Sequence, residues 1–206
     1  MIVEIFPIFP TAVYRVKLRP LTSAEDNFVL SAVSYPKPLG NRTSQTSNLL
    51  EANALQDLKL LFSDHVRNYA QEIIKTDCEL YITNSWKNEN HKGEPHSLHN
   101  HTNSIISGCY YIDVEQSENT ISFNRMSLPF SLNFKSKAYT EFNSLEWTIP
   151  IENNMLVLFP SALYHQVQVN QTNNIRRSIA FNTFVKGGLD TETQLVNNNT
   201  AIFKLG

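Results

Sequence analysis

Cysteine is scarce in this chain: Cys78 and Cys109 are the only two in 206 residues. One lies beside a strand start and one inside an apolar strand, so no disulfide framework is expected and a reducing interior fits. Charge is scarce too, at 17% of residues with a formal net of -2. That balance gives no electrostatic grip on nucleic acid or an anionic membrane. No apolar run is long enough to span a bilayer. The opening "MIVEIFPIFPTAVYRVKLRP" is apolar but lacks a basic leader and is broken by Pro7 and Pro10. It is not expected to be a signal peptide, and the cytoplasm is the expected location. With no repeat and no linker, and 41% hydrophobic residues, the length suits a single domain, 1-206, with a real core.

What is present divides into a strand and helical N-terminal layer, 1-76, and a β-rich core, 79-186. Residues 2–8 and 12–18 read as short strands around a Pro-marked turn, and 22–32 as a helix capped by Thr22 or Ser23. Residues 34–47 are rich in Pro, Ser, Thr and Gly and read as loop. Leu55, Leu58, Phe62, Val66, Tyr69 and Ile73 then mark one stripe of a long helix ending near Lys75. After it come "CELYITNSW", "SIISGCYYIDV", "NTISF", "SLEWTIP", "NMLVLFP", "LYHQVQVN" and "RRSIAFNTFV". Short β-branched and aromatic segments at this spacing predict a β-sandwich or barrel. Trp86, Tyr110, Tyr111 and Trp147 on these strands are read as core, the usual place for strand aromatics.

Three of the six histidines fall in "PHSLHNH". On a strand His99 and His101 share a face with Asn100 opposite, a ready pair of metal ligands or a pair of polar loop residues. In "LYHQVQVN", His165 lies with Val167 and Val169 on the side opposite Tyr164, Gln166 and Gln168, which places it inward. In "RRSIAFN", Arg176, Ser178, Ala180 and Asn182 share one small, polar face, odd for a core and sensible for a wall that receives a carboxylate. A guanidinium offers a planar two-pronged donor, and a serine two residues on reaches the same anion.

An HxH pair, a distal His and an R-x-S about a dozen residues later resembles the 2-oxoglutarate- and Fe(II)-dependent oxygenases, whose usual pattern is HxD/E, His and R-x-S. More narrowly, the chain resembles a bacterial and phage branch of such oxygenases. That branch carries W-x-N, a Gly, HxH, "SGvYY", "FPs...H.V" and "R.SiafN". Here these read Trp86-Lys87-Asn88, Gly93, His99-Asn100-His101, "SGCYY", "FPSALYHQV" and "RRSIAFN", and "IFPIFPTAVY" matches the branch's opening. The resemblance implies a mainly β fold with N-terminal helices, a double-stranded β-helix (jelly roll, cupin-like) barrel. It implies Fe(II) on His99, His101 and His165, and 2-oxoglutarate on Arg176 and Ser178, with Asn88 toward its C1 carboxylate. It further implies O2 as cosubstrate and hydroxylation of an unknown primary substrate, releasing succinate and CO2. Asn90 stands where an alkylated-nucleic-acid repair branch has tyrosine, and His96 has no counterpart among the ligands.

The departure is His101, which stands where the family carries an acid. Three neutral imidazoles leave a metal one positive charge above the norm of two histidines and a carboxylate, weakening selectivity for Fe(II) over Zn or Cu. Two alternatives follow: a non-catalytic jelly-roll binding or assembly protein with a vestigial three-His site, and a cupin-like three-His metalloenzyme.

Overall fold

A computed structural model describes residues 2–114, 120–127, 135–188 and 204–205. In chain order the elements are β1 (Tyr14–Lys17), α1 (Ser23–Ser31), β2 (Ser34–Pro36), β3 (Arg42–Ser44) and α2 (Gln56–Tyr69). Then follow β4 (Leu80–Asn90), β5 (His96–His99), β6 (Ile106–Asp113), β7 (Thr120–Asn124), β8 (Glu146–Pro150), β9 (Met155–Pro160), β10 (Tyr164–Val167) and β11 (Arg176–Val185). A short pair, β12 (Gly187–Gly188) with β13 (Lys204–Leu205), lies apart.

The strands form a seven-stranded sheet, ordered β1-β9-β6-β11-β4-β3-β2, and a four-stranded sheet, ordered β5-β10-β7-β8. From β4 onward the chain winds through both sheets: β4, β6, β9 and β11 fall in the larger, and β5, β7, β8 and β10 in the smaller. This is the expected jelly roll. Two apolar clusters fill it. One joins the helices to the outer face of the large sheet through Leu58, Phe62, Val66, Tyr110, Ile179 and Phe181. The other lies between the sheets around Tyr111, Ile121, Phe123, Val157 and Phe159.

Helix α1 begins where its sequence signal says. Thr22 caps it, and Glu25 closes a capping box by accepting from the Thr22 backbone N–H at 2.7 Å. Helix α2 buries Leu58, Phe62, Val66 and Tyr69, with Leu55 buried just before it. Ile73 departs from the expected stripe and is exposed, because Ala70–Ile74 forms a π-helical turn. Its wider hydrogen-bond spacing breaks the 3.6-residue step before Lys75, at φ 58, ends the helix.

Three expectations are corrected. Residues 2–8 form no strand, and Ile2, Val3, Ile5, Phe6 and Ile8 are exposed. Pro7 and Pro10 lack ladder N–H groups and Phe9 sits at φ 61, which breaks extended geometry. Residues 34–47 are not simply loop: β2 and β3 form a hairpin that joins the sheet through Arg42↔Glu89 and Thr43↔Asn88. An available sheet edge overrode polar local composition there. Trp147 is not core: it is half exposed, because β8 is the edge strand of the smaller sheet.

Gly108 on β6 faces Phe181 so closely that an added Cβ would lie 2.2 Å from that ring. The ring is locked by stacking on Phe62, with centroids 5.3 Å apart. Gly108→Ala is therefore expected to destabilise the fold by about 1–3 kcal/mol or more, read by chemical denaturation.

The Glu25 carboxyl is held below its usual range, chiefly by hydrogen bonds from Arg19, against the opposing effect of its burial. A depressed folded pKa gives stability that is full above the unfolded pKa and lost as pH falls through the folded one. The stability gap between the native chain and Glu25→Gln should accordingly be open at neutral pH and close on acidification below pH ~4, followed by thermal melts across that range.

Candidate metal centre

Antiparallel pairing sets His165 directly opposite His99, with ring centroids 4.3 Å apart. His101 arrives just beyond β5, anchored by its backbone N–H on the Ser161 carbonyl at 2.9 Å. Its ring lies 5.2 Å from that of His99 and 5.1 Å from that of His165. Ligand nitrogens of the three fall within 4.8 Å of one another, a spacing that can hold a metal ion. Each Nδ1 is engaged by an oxygen: His99 with the Ser97 carbonyl at 2.7 Å, His165 with the Leu163 carbonyl at 3.0 Å, and His101 with Asn182 Oδ1. A carbonyl only accepts, so Nδ1 carries the proton and Nε2 keeps the lone pair that a metal needs. Burial pulls all three pKa values down, that of His165 to about 3 with the charge of His99 adding to it. The rings are neutral, the ligating form.

His96 joins this cluster without being a third-party ligand by spacing. Its ring stacks on His99 at 4.3 Å, and burial holds its pKa well below the usual histidine value. Residues three apart on a regular strand face opposite ways, but the β5–β10 register shifts between His165 and Val167, which opposes His96. That shift is a property of the pairing and left no trace in the sequence. Val169, expected inward beside His165, lies beyond β10 and is exposed.

The large sheet supplies the second half of the site. Arg176, Ser178 and Ala180 face the cavity, while Ile179 and Phe181 pack against the helices, as the alternation predicted. Arg177 points outward to Asp113, at 2.6 Å. Register places Asn88, Ser178 and Tyr111 side by side across β4, β11 and β6. Arg176 is buried, its Nη2 donates to the Gln168 carbonyl at 2.9 Å, and burial draws its pKa down while Tyr111 and Cys109 raise it. The buried Tyr111 hydroxyl has no nitrogen or oxygen partner among the described residues and lies beside the Cys109 thiol. Both cysteines are free. Asn88 Oδ1 accepts from Trp86 Nε1 at 3.1 Å and Asn41 Nδ2 at 3.0 Å. Because an indole N–H only donates, the amide orientation is fixed and Asn88 Nδ2 is its remaining donor.

Tyr111, read as core, belongs to the apolar cluster between the sheets and also lines the cavity, while sequence reasoning missed Cys109, two residues earlier on the same strand face of "SGCYY". Tyr110 is core as expected. Asn90 is structural, tying the β4–β5 turn through Nδ2 to the Pro95 carbonyl at 2.8 Å. Among the described residues, no Asp or Glu lines the cavity. Glu94 is paired with Arg42 instead, and Asp113 with Arg177. Beside the histidines a groove of about 580 Å³ opens, walled by the β2–β3 hairpin and by Asn100, Thr102 and Asn182.

The donor set fits a metal with an anionic chelator: three Nε2 lone pairs on one side, and on the other a buried guanidinium beside a hydroxyl that lacks a partner. Residues 84–182 match the family model described as "Putative 2OG-Fe(II) oxygenase". This segment, just under half of the chain, is similar to the 2OG-Fe(II) oxygenase family. The family is Fe(II)- and 2-oxoglutarate-dependent. No curated protein matches by sequence.

Among solved structures the chain is similar to a 2OG-Fe(II) oxygenase family oxidoreductase from Burkholderia pseudomallei, at 12% identity and TM-score 0.56, covering 77% of this chain and 76% of that one. It is also similar to HygX from Streptomyces hygroscopicus with nickel and 2-oxoglutarate bound, at 10% identity and TM-score 0.58, covering 84% and 82%. A Pseudomonas putida prolyl-4-hydroxylase aligns at 12% identity and TM-score 0.53, covering 84% and 92%. At such identities the likeness is one of fold. Among the described residues, no helix is long and apolar enough to cross a membrane.

Trp86 lies 5.7 Å from the His101 ring, whereas Trp147, the other tryptophan, is at the exposed edge. Titration with Co(II) should therefore quench tryptophan fluorescence in the native chain and in Trp147→Phe. The quenching should vanish in Trp86→Phe and in His165→Ala.

Proposed function

We propose that this chain is a 2-oxoglutarate- and Fe(II)-dependent dioxygenase, built as one domain over 1-206, that hydroxylates a substrate and releases succinate and CO2. The observation that carries the reading is the meeting of three Nε2 lone pairs with a buried anion pocket. When bound, Fe(II) supplies the activation of O2 and the oxidative decarboxylation of 2-oxoglutarate.

The protein's own part is binding, orientation and exclusion of water. His99, His101 and His165 hold the metal as neutral ligands. Arg176 presents its planar donors to the distal carboxylate of 2-oxoglutarate, and the Ser178 and Tyr111 hydroxyls donate to the same group. Asn88 Nδ2 serves the C1 carboxylate end. The near-closed cavity keeps water from these charges, which strengthens each contact. The primary substrate enters by the groove, which shares His99 and His101 with the centre. Cys78 and Cys109, both unpaired, fit a reducing cytoplasm.

Because no carboxylate of the described residues lines the centre, 2-oxoglutarate brings the anionic oxygen that the family norm draws from the chain. Metal and cosubstrate binding are thus expected to reinforce each other strongly. Anaerobic Fe(II) titration with 2-oxoglutarate should develop a visible charge-transfer band, and aerobic incubation should yield succinate. Arg176→Ala removes one partner of a buried charge pair, at a cost of about 2–5 kcal/mol. Its affinity for 2-oxoglutarate should fall about 30-fold or more, with the band lost at ordinary concentrations. The missing carboxylate also favours a second reading, a three-His metalloprotein that does not use 2-oxoglutarate. An intact, metal-loaded protein giving neither band nor succinate would select it.

A further inference from the structure

Asn182 lies on β11, on the same face as Arg176 and Ser178, and sits behind His101. Its Oδ1 takes up His101 Nδ1 and also the Ser107 hydroxyl at 2.8 Å. Behind Ser107 runs a chain of hydroxyls. Ser107 Oγ meets Ser161 Oγ at 2.8 Å, Ser161 Oγ meets Ser104 Oγ at 2.7 Å, and Ser104 Oγ accepts from the Thr183 backbone N–H at 3.3 Å. Ser104 Oγ in turn donates to the carbonyls of Thr183, at 3.1 Å, and Ile106, at 3.3 Å, which ties the hydroxyl network to the sheet backbone. With its oxygen toward Ser107 and His101, the Asn182 amide accepts from the Ser107 hydroxyl and from His101 Nδ1–H, which leaves Nε2 bare. Turning the amide over would aim N–H groups at Ser107 and at His101 Nδ1 and force the His101 proton onto the nitrogen that faces the metal.

We propose that Asn182 is a positioning residue of the metal centre: its amide oxygen, which also accepts from the Ser107 hydroxyl, locks His101 as an Nε2 ligand. The inference rests on the three-histidine centre of the preceding section. A carboxylate at position 101 would bind through an oxygen in any protonation-free state, whereas an imidazole has two nitrogens and must be told which one to offer. His99 and His165 receive that instruction from backbone carbonyls of their own strand or turn. His101 lies in a loop, with no such carbonyl on its Nδ1, and receives it from a side chain 81 residues away. The position that departs from the acid is the one with a dedicated side-chain partner.

The test uses the full chain and Co(II), read by calorimetry and by the visible d–d spectrum. The native chain should bind one Co(II). Asn182→Ala should bind it about 10–100-fold more weakly with an altered d–d band, while thermal melting confirms the fold. Asn182→Asp keeps an acceptor facing His101 and should recover native affinity or exceed it; Ser107→Ala should weaken binding in the same direction as Asn182→Ala, by less. Asn182→Leu, near in volume, carries the same comparison if the alanine variant does not fold. Native affinity and an unchanged spectrum in Asn182→Ala or Asn182→Leu would overturn the assignment. So would an Asn182→Asp chain as weak as the alanine variant. A native chain that binds no Co(II) at all is a separate failure, one that removes the centre itself.

Discussion

A proton on the Nδ1 of each of three imidazoles is the constraint on which the rest of this centre depends. Backbone carbonyls of Ser97 and Leu163 hold two of those protons and the Asn182 amide the third. Without them, three imidazoles whose ligand nitrogens lie within 4.8 Å of one another would be interchangeable tautomers, and no cation would find a fixed set of lone pairs. The sandwich supplies these acceptors at no separate cost. Antiparallel pairing of β5 with β10 brings His99 and His165 together, and the loop after β5 adds His101 on the far side of the same gap.

Burial then works in opposite directions on the two halves of the site. On the histidines it disfavours the cation and so favours ligation. On Arg176 it strips water from a charge that stays ionised, which raises the return on meeting a carboxylate. The buried Tyr111 hydroxyl, without an oxygen or nitrogen hydrogen-bond partner among the described residues, adds to that pull. A cavity that is costly when it holds no anion is well suited to hold one.

Much of this was legible in the sequence. Strict two-residue alternation in "RRSIAFN" separated Arg176 and Ser178 from Ile179 and Phe181, because each face of β11 meets a chemically different layer. His165 was readable for the same reason. The helix stripe failed only at Ile73, where hydrogen bonding widened for one turn. What escaped depended on partners distant along the chain. His96 is turned inward by a register shift in the β5–β10 pairing, and the β2–β3 hairpin forms on an edge that local composition does not announce. Tyr111 looked like core because an aromatic on a buried strand is the same letter whether its hydroxyl meets a neighbour or a ligand.

β11 is a shared wall. Its odd-numbered side chains Ile179 and Phe181 are wedged into the helical layer, with Phe181 pressed on Phe62 and filling the gap left by Gly108. Its even-numbered ones, Arg176, Ser178 and Ala180, line the cavity. A backbone so gripped from behind cannot tilt freely in front, so the helices act as a jig for a guanidinium on the opposite face of the sheet. Drift in the helical layer and drift in cosubstrate recognition are therefore not separable histories: a lineage that repacks α2 must re-aim Arg176 in the same step.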